Sequence, residues 1–317
     1  MSTVQAPPTP RRSAGLIVQF GWEGLLLALV MATAGLVLAL TRAEFNAFLI
    51  WQIAALGFLA AGFALSLRTA TPNLAVGAFA VLAGMVYARL VAEEWTPVVA
   101  GIVAVSIVLV AGLVLGALTG LLSAPGWAMS LAGLAAGQAA IVAIAGEQGF
   151  PLTTGGPPET TTGVVWLIAF IVVSVTEGVL FLVPAVRRFL GANRTGANPA
   201  EWRPARIVGA VIGLGGSSLL AGLSGIAFVE VTRFASPAVD GSRLLLAAGA
   251  ALLGGVGVYG RRGGALGTVF ATGIIALSTM ALAVTDSPRW LLLALAGAAI
   301  AIGIGYSRVL EAYTGPD

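Results

Sequence analysis

The 317-residue sequence has no cysteine, no histidine and no lysine, and all 16 of its basic residues are arginine. Each absence removes a class of chemistry. Without lysine there is no phosphate loop of the G-x-x-x-x-G-K-[ST] type, so the chain cannot bind and hydrolyse ATP in that way. Without histidine or cysteine there is no His-dependent triad, no zinc site of the common kind and no His-ligated haem. The sequence therefore reads as a non-enzyme with no cofactor, no metal and no catalytic residue. Charge is also scarce. Charged residues make up 9% of the chain, against roughly 25% in soluble globular domains.

What is present is apolar: 58% hydrophobic residues, 43 glycines and a mean hydropathy of +1.00. In a bilayer every backbone polar group must be satisfied internally, which leaves helices or a closed barrel. Apolar runs of about 20 residues, rather than alternating decapeptides, select helices. The expected fold is an all-α polytopic membrane protein of about ten spans near 22–41, 47–67, 74–91, 97–122, 127–146, 163–185, 206–229, 242–259, 264–284 and 289–307. Arg11, Arg12 and the apolar stretch that follows imitate a secretory signal. The run from Trp22 to Leu40 is too long for one and reads as the first span. Residues 1–15 read as a disordered cytoplasmic tail, 16–310 as the membrane domain and 311–317 as a second cytoplasmic tail.

The arginines orient the chain. With the N-terminus inside, 11 of them face the cytoplasm and 5 face out. The high pI, about 9.9, thus reflects topology rather than nucleic-acid binding. The outer segment 146–162 is rich in Pro and Gly and lacks basic residues, whereas the inner segment 187–206, RRFLGANRTGANPAEWRPAR, carries five arginines. Positive-inside anchoring explains those arginines simply, but a loop of this length is also where a cytoplasmic partner would dock. Segments 72–87 and 242–260 share a small-residue texture, which hints at the inverted repeats common in transporters.

G-x-x-x-G spacing recurs at Gly116/Gly120, Gly209/Gly213, Gly260/Gly264 and Gly263/Gly267, and together these pairs predict close helix packing. Glu177 is the acid placed well inside an expected span, which makes it a pathway candidate; pairing with an arginine is the plainer explanation. Gly254 to Val269 sets Arg261 and Arg262 among seven glycines, as a cytoplasmic turn between two spans would.

The stretch from Ser217, SSLLAGLSGIAFVEVTRFASPAVDGSRLLLAAGAALLGGVGVYGRRGGALGTVFATGIIAL, resembles the C-terminal half of the permease subunits of ribose-type and branched-chain amino acid-type ABC importers. Leu253, Gly254, Gly255, Gly263, Gly264, Gly267 and Thr268 match that family's V-L-G-G-x-x-L-x-G-G-x-G-x-x-x-G-T segment. Upstream, TPNLAVGAFAVLAG (71–84) is similar to its I-D-L-S-V-G motif, with Asn73 and Ala75 in place of the Asp and Ser. LVLGALTGLLSAPGWAMSLAGLAAGQA (113–139) is similar to the segment that follows. The likeness covers most of residues 68–285.

The resemblance implies a permease that forms a translocation pathway for a small polar solute such as a sugar or nucleoside, in a bacterial plasma membrane. Its partners would be an ABC ATPase, a second permease as homo- or heterodimer, and an extracytoplasmic substrate-binding protein. It further implies ATPase coupling through Asn198, Pro199, Glu201, Trp202 and Arg203, in a loop shorter than the family's. Asn73 and Glu177 become pathway candidates, and Gly254, Gly255, Gly263, Gly264 and Gly267 a helix-packing interface. Two other readings stay open: a secondary transporter working through Glu177, and a permease-derived scaffold that transports nothing.

Overall fold

In a computed structural model the chain is described over residues 12–41, 47–145, 148–152, 158–194, 204–239, 241–260 and 264–314. The helices there are α1 (Arg12–Thr41), α2 (Ala47–Arg68), α3 (Val76–Ala92), α4 (Pro97–Leu121), α5 (Gly126–Ala145), α6 (Thr160–Leu182), α7 (Pro184–Leu190), α8 (Pro204–Ala210), α9 (Gly216–Thr232), α10 (Ser242–Leu253), α11 (Gly267–Val284) and α12 (Arg289–Thr314). A π-helical turn, Val211–Gly215, joins α8 and α9 into one rod of 29 residues. A two-residue antiparallel bridge pairs Phe150 with Ala235 and Pro151 with Phe234, and ties two connecting segments together.

Among the described residues eight helices are long and apolar enough to cross a bilayer, the α8–α9 rod counting as one. The chain is thus an all-α, multi-pass membrane-type bundle. Every one of the ten expected segments contains an apolar helix, but α3 and α10 have 17 and 12 residues. At 1.5 Å per residue these reach about 25 and 18 Å, short of a hydrocarbon core of about 30 Å.

Polarity is arranged inside out. The outer helices α1, α4, α5, α6 and α12 expose apolar side chains such as Ile102, Val110, Val142, Val165 and Trp290. The inner helices α2, α3 and α9 enclose Ser66, Arg68, Asn73, Ser217, Ser218 and Ser224. That is the distribution lipid demands, because polar groups in hydrocarbon must find partners within the protein. Ser224 Oγ donates to the Ala55 carbonyl at 2.7 Å, for example, which staples α9 to α2. Such bonds contribute about 0.6 kcal/mol each.

Glycine sets the spacing of the inner layer. A Cβ at Gly225 of α9 would lie 1.9 Å from the Ala80 carbonyl oxygen of α3, so the two backbones touch. On α4, Gly112, Gly116 and Gly120 form one ridge against Ser218, Val211 and Ile207, where Cβ atoms would approach within 2.3–2.6 Å. The Gly116/Gly120 pair thus packs helix on helix. Gly260 and Gly264 lie in non-helical chain, and Gly263 lies outside the described residues.

Element boundaries differ from the sequence expectations in places. α1 starts at Arg12, inside the expected tail of residues 1–15, and α12 continues to Thr314, inside the expected tail of residues 311–317. α10 stops at Leu253, six residues before the expected 259, because Gly255 takes the left-handed conformation (φ 86°) that ends a helix.

A candidate functional site between interrupted helices

α2 and α10 terminate in the same way. At α2, Thr71 N–H donates to the Ser66 carbonyl and Ala70 N–H to that of Leu67, with Ala70 at φ 59°. At α10, Val256 N–H donates to the Ala251 carbonyl and Gly255 N–H to that of Leu252. Both patterns are Schellman caps, which satisfy carbonyls that a helix stopping inside the bundle would leave bare.

The chain between α2 and α3 is then held by side chains. Asn73, fully buried, donates from Nδ2 to Ser217 Oγ at 2.7 Å and accepts from Ala75 N–H at 3.0 Å. Asn73 N–H donates to Ser66 Oγ and Leu74 N–H to Ser130 Oγ, both at 3.1 Å, while Ser130 Oγ donates to the Pro72 carbonyl at 3.0 Å. The π-turn fits into this break, since a Cβ at Gly213 would lie 2.1 Å from Thr69 Oγ1. Asn73→Ala removes an amide that serves two elements and is expected to cost about 1–3 kcal/mol. A lower Tm in detergent checks this; a wild-type Tm would show that the break does not depend on Asn73.

A cavity of about 270 Å³ opens beside this break, between the first turns of α3 and α10. Its walls include Gly77 and Val81 of α3, Leu134 and Gln138 of α5, and Arg243 and Leu244 of α10. A Cβ at Gly77 would meet Leu244 at 3.5 Å, so the starts of the two short helices touch. Gln138 is 12 residues into α5, a 20-residue helix whose first residue, Gly126, packs on Thr71. Ala238, Val239 and Gly241 of the segment between α9 and α10 complete the walls, so the cavity lies between the break after α2 and that connecting segment. Arg243 extends over the Phe228 ring, its guanidinium carbon 4.6 Å from the ring centre, and Gln138 adds an amide to otherwise apolar walls. The combination of mostly apolar walls and a few directed polar groups suits a small polar solute.

A second cluster lies at the end of the bundle where α1 begins. Arg68, 1% exposed, donates from Nη1 to Glu177 Oε2 at 3.2 Å and from Nη2 to the Gly264 carbonyl at 3.3 Å. It links α2, α6 and the non-helical segment between α10 and α11. Gly178 admits that segment to α6, since a Cβ there would lie 2.6 Å from Ala265 Cα. Gly254 and Gly267 touch as well; a Cβ on Gly267 would lie 2.0 Å from the Gly254 carbonyl oxygen. In this structure Gly254, Gly255, Gly264 and Gly267 pack the chain's own turn against α1, α2 and α12. Asn73 and Glu177 belong to separate clusters.

Asn198, Pro199, Glu201, Trp202 and Arg203 lie outside the described residues, as do Arg261 and Arg262. The flanks of the 187–206 loop are described: Asn193 Nδ2 donates to the Arg206 carbonyl at 3.0 Å, and Gly209 allows α8 to meet the Leu190 carbonyl. The loop thus leaves and rejoins the bundle at neighbouring points. Two residues beyond the sequence candidates emerge from the structure. Arg68 is one of the 11 arginines that the charge pattern assigns to the cytoplasmic side, and Glu23 stands at the edge of the first expected span. No protein-family model matches the chain, and neither a curated protein nor a solved structure does.

Proposed function

We propose that this chain is the membrane-spanning permease subunit of an ABC importer, taking up a small polar solute across a bacterial plasma membrane. The observation that carries the proposal is the cavity bounded by the starts of two short apolar helices, α3 and α10. Transporters place binding sites where helices break near the bilayer midplane, because broken helices free backbone and small side chains to face a solute. The motif resemblance adds the energy source. Lacking a phosphate loop, the chain takes its work from a separate ATPase docked on the 187–206 loop, pairs with a second permease, and receives solute from an extracytoplasmic binding protein. The ten apolar helices then run with the N-terminus inside.

The pairing of Glu177 with Arg68 gives the carboxylate a fixed counter-charge, which speaks against an ion-gradient mechanism worked through Glu177. Purification from native membranes in mild detergent, followed by mass spectrometry, tests the proposal. Recovery of an ABC ATPase supports it, and reproducible absence of any ATPase from intact, monodisperse protein overturns it. Within a recovered complex, Glu201→Ala with Arg203→Ala is expected to reduce solute-stimulated ATPase activity while membrane insertion is unchanged. Full stimulation in that double variant would remove the coupling role of the loop.

A further inference from the structure

Glu23 lies on α1 with its side chain turned into the bundle, 8% exposed, and its Oε1 accepts no hydrogen bond from any described residue. Beside it is a cavity of about 10 Å³ lined by Gln19, Trp22, Gly254, Gly255, Gly264 and Tyr306. That is room for one water-sized body. A Cβ placed on Gly264 would lie 2.2 Å from Glu23 Oε1 and 3.5 Å from the Gly254 carbonyl oxygen. The absence of a side chain at Gly264 therefore lets the Glu23 carboxylate lie against its backbone, on the side where the Gly254 carbonyl also stands. The walls around that point are fixed: Trp22 donates from Nε1 to the Leu253 carbonyl at 2.9 Å and stacks on Tyr306, with ring centres 4.2 Å apart.

Charge points the same way as geometry. Glu23 and Arg68 flank Gly264, and Arg68 is already engaged by Glu177 and the Gly264 carbonyl. Arg68 is thus paired with Glu177, and Glu23 Oε1 accepts no hydrogen bond from it. Arg308 of α12 extends toward the Tyr259 ring, and residues 261–263 lie outside the described chain. The C-terminal end of α10, where helix carbonyls gather negative potential, also faces the cavity.

We propose that Glu23 Oε1, the Gly254 carbonyl and the oxygens of Gln19 and Tyr306 form a site for one sodium ion, which holds α1 to the glycine-rich segment between α10 and α11. Oxygen-only ligands, a one-atom volume and unwound backbone beside a helix C-terminus are the features of sodium sites in membrane bundles. A water could donate to both acceptors but would leave the carboxylate charge in place. A proton would neutralise the charge but leave the second oxygen and the space unfilled. The inference does not depend on what the protein transports, because its test reads binding.

The test is thermal unfolding of the purified full chain in detergent, with sodium chloride replaced stepwise by choline chloride at constant ionic strength. Sodium is expected to raise the Tm saturably, by roughly 2–4 °C. Glu23→Gln should abolish the rise, and Tyr306→Phe, which keeps the stack on Trp22, should shift the half-effect to several-fold higher sodium. Equal Tm in sodium and choline for the wild-type chain would overturn the proposal in favour of a proton or a structural water. A sodium response that survives in Glu23→Gln would place the ion elsewhere. If Glu23→Gln does not fold, an unchanged response in Tyr306→Phe overturns the proposal alone.

Discussion

Glu177→Ala is expected to cost about 3–5 kcal/mol of stability, because it removes the carboxylate paired with the Arg68 guanidinium, which is 1% exposed. The loss should exceed that of any surface substitution and show as a large drop in Tm in detergent. Replacing both partners, Arg68→Met with Glu177→Leu, should recover most of it, since exchanging a buried ion pair for packed hydrophobic residues is often neutral or stabilising. The recovery should be incomplete. The double variant also removes the bond from Arg68 to the Gly264 carbonyl and leaves that acceptor unpaired, at about 1–3 kcal/mol. A Glu177→Ala variant as stable as wild type would show that Arg68 has another counter-charge and that the pair is not what holds α2, α6 and the α10–α11 segment together.

The second large effect belongs to glycine. Gly225→Ala would drive a Cβ to 1.9 Å from the Ala80 carbonyl, a contact that only a shift of α9 away from α3 can relieve. Overpacking of this kind costs about 1–3 kcal/mol, and more where backbone rather than side chain must yield. Gly297 of α12 provides the contrast, because a Cβ there would meet nothing within 4 Å. Gly297→Ala should be neutral or slightly stabilising, as alanine is favoured over glycine by about 1 kcal/mol within a helix. Comparing the two by thermal unfolding separates close packing from helix propensity. Equal effects would mean that the α3–α9 contact has slack.

The existence of the helices was legible in the sequence because a bilayer turns hydropathy into length, and every expected segment holds a helix. Where they stop was less legible. Gly254, Gly255 and Val256 carry no charged or strongly polar side chain to interrupt the apolar run, so hydropathy carried α10 to residue 259, whereas the chain breaks at Gly255 through backbone conformation. Glu177 stood out as a buried acid from its position alone. Its partner did not, because Arg68 lies 109 residues away at the end of another helix, where an arginine also serves as a headgroup anchor. Glu23 escaped notice for a different reason. The expected first span began at residue 22, which put it at a membrane boundary, whereas α1 begins at Arg12 and places Glu23 three turns in. The polar lock at Asn73 needs Ser66, Ser130 and Ser217 from three other helices, and no local pattern announces such an encounter.

The five-residue π-turn at Val211–Gly215 has a consequence for the periodicity of the rod that contains it. A π-turn inserts an extra residue into α-helical winding, and each residue is worth about 100° of rotation. If alanine or tryptophan were scanned along residues 204–232, the profile of tolerated and damaging positions would follow a 3.6-residue wave on both sides of the turn, with a phase jump of about 100° across it. Deleting one residue from the turn would restore a single wave and rotate Ser217, Ser218 and Gly225 away from Asn73 and Ala80 together, a framing error written in angle.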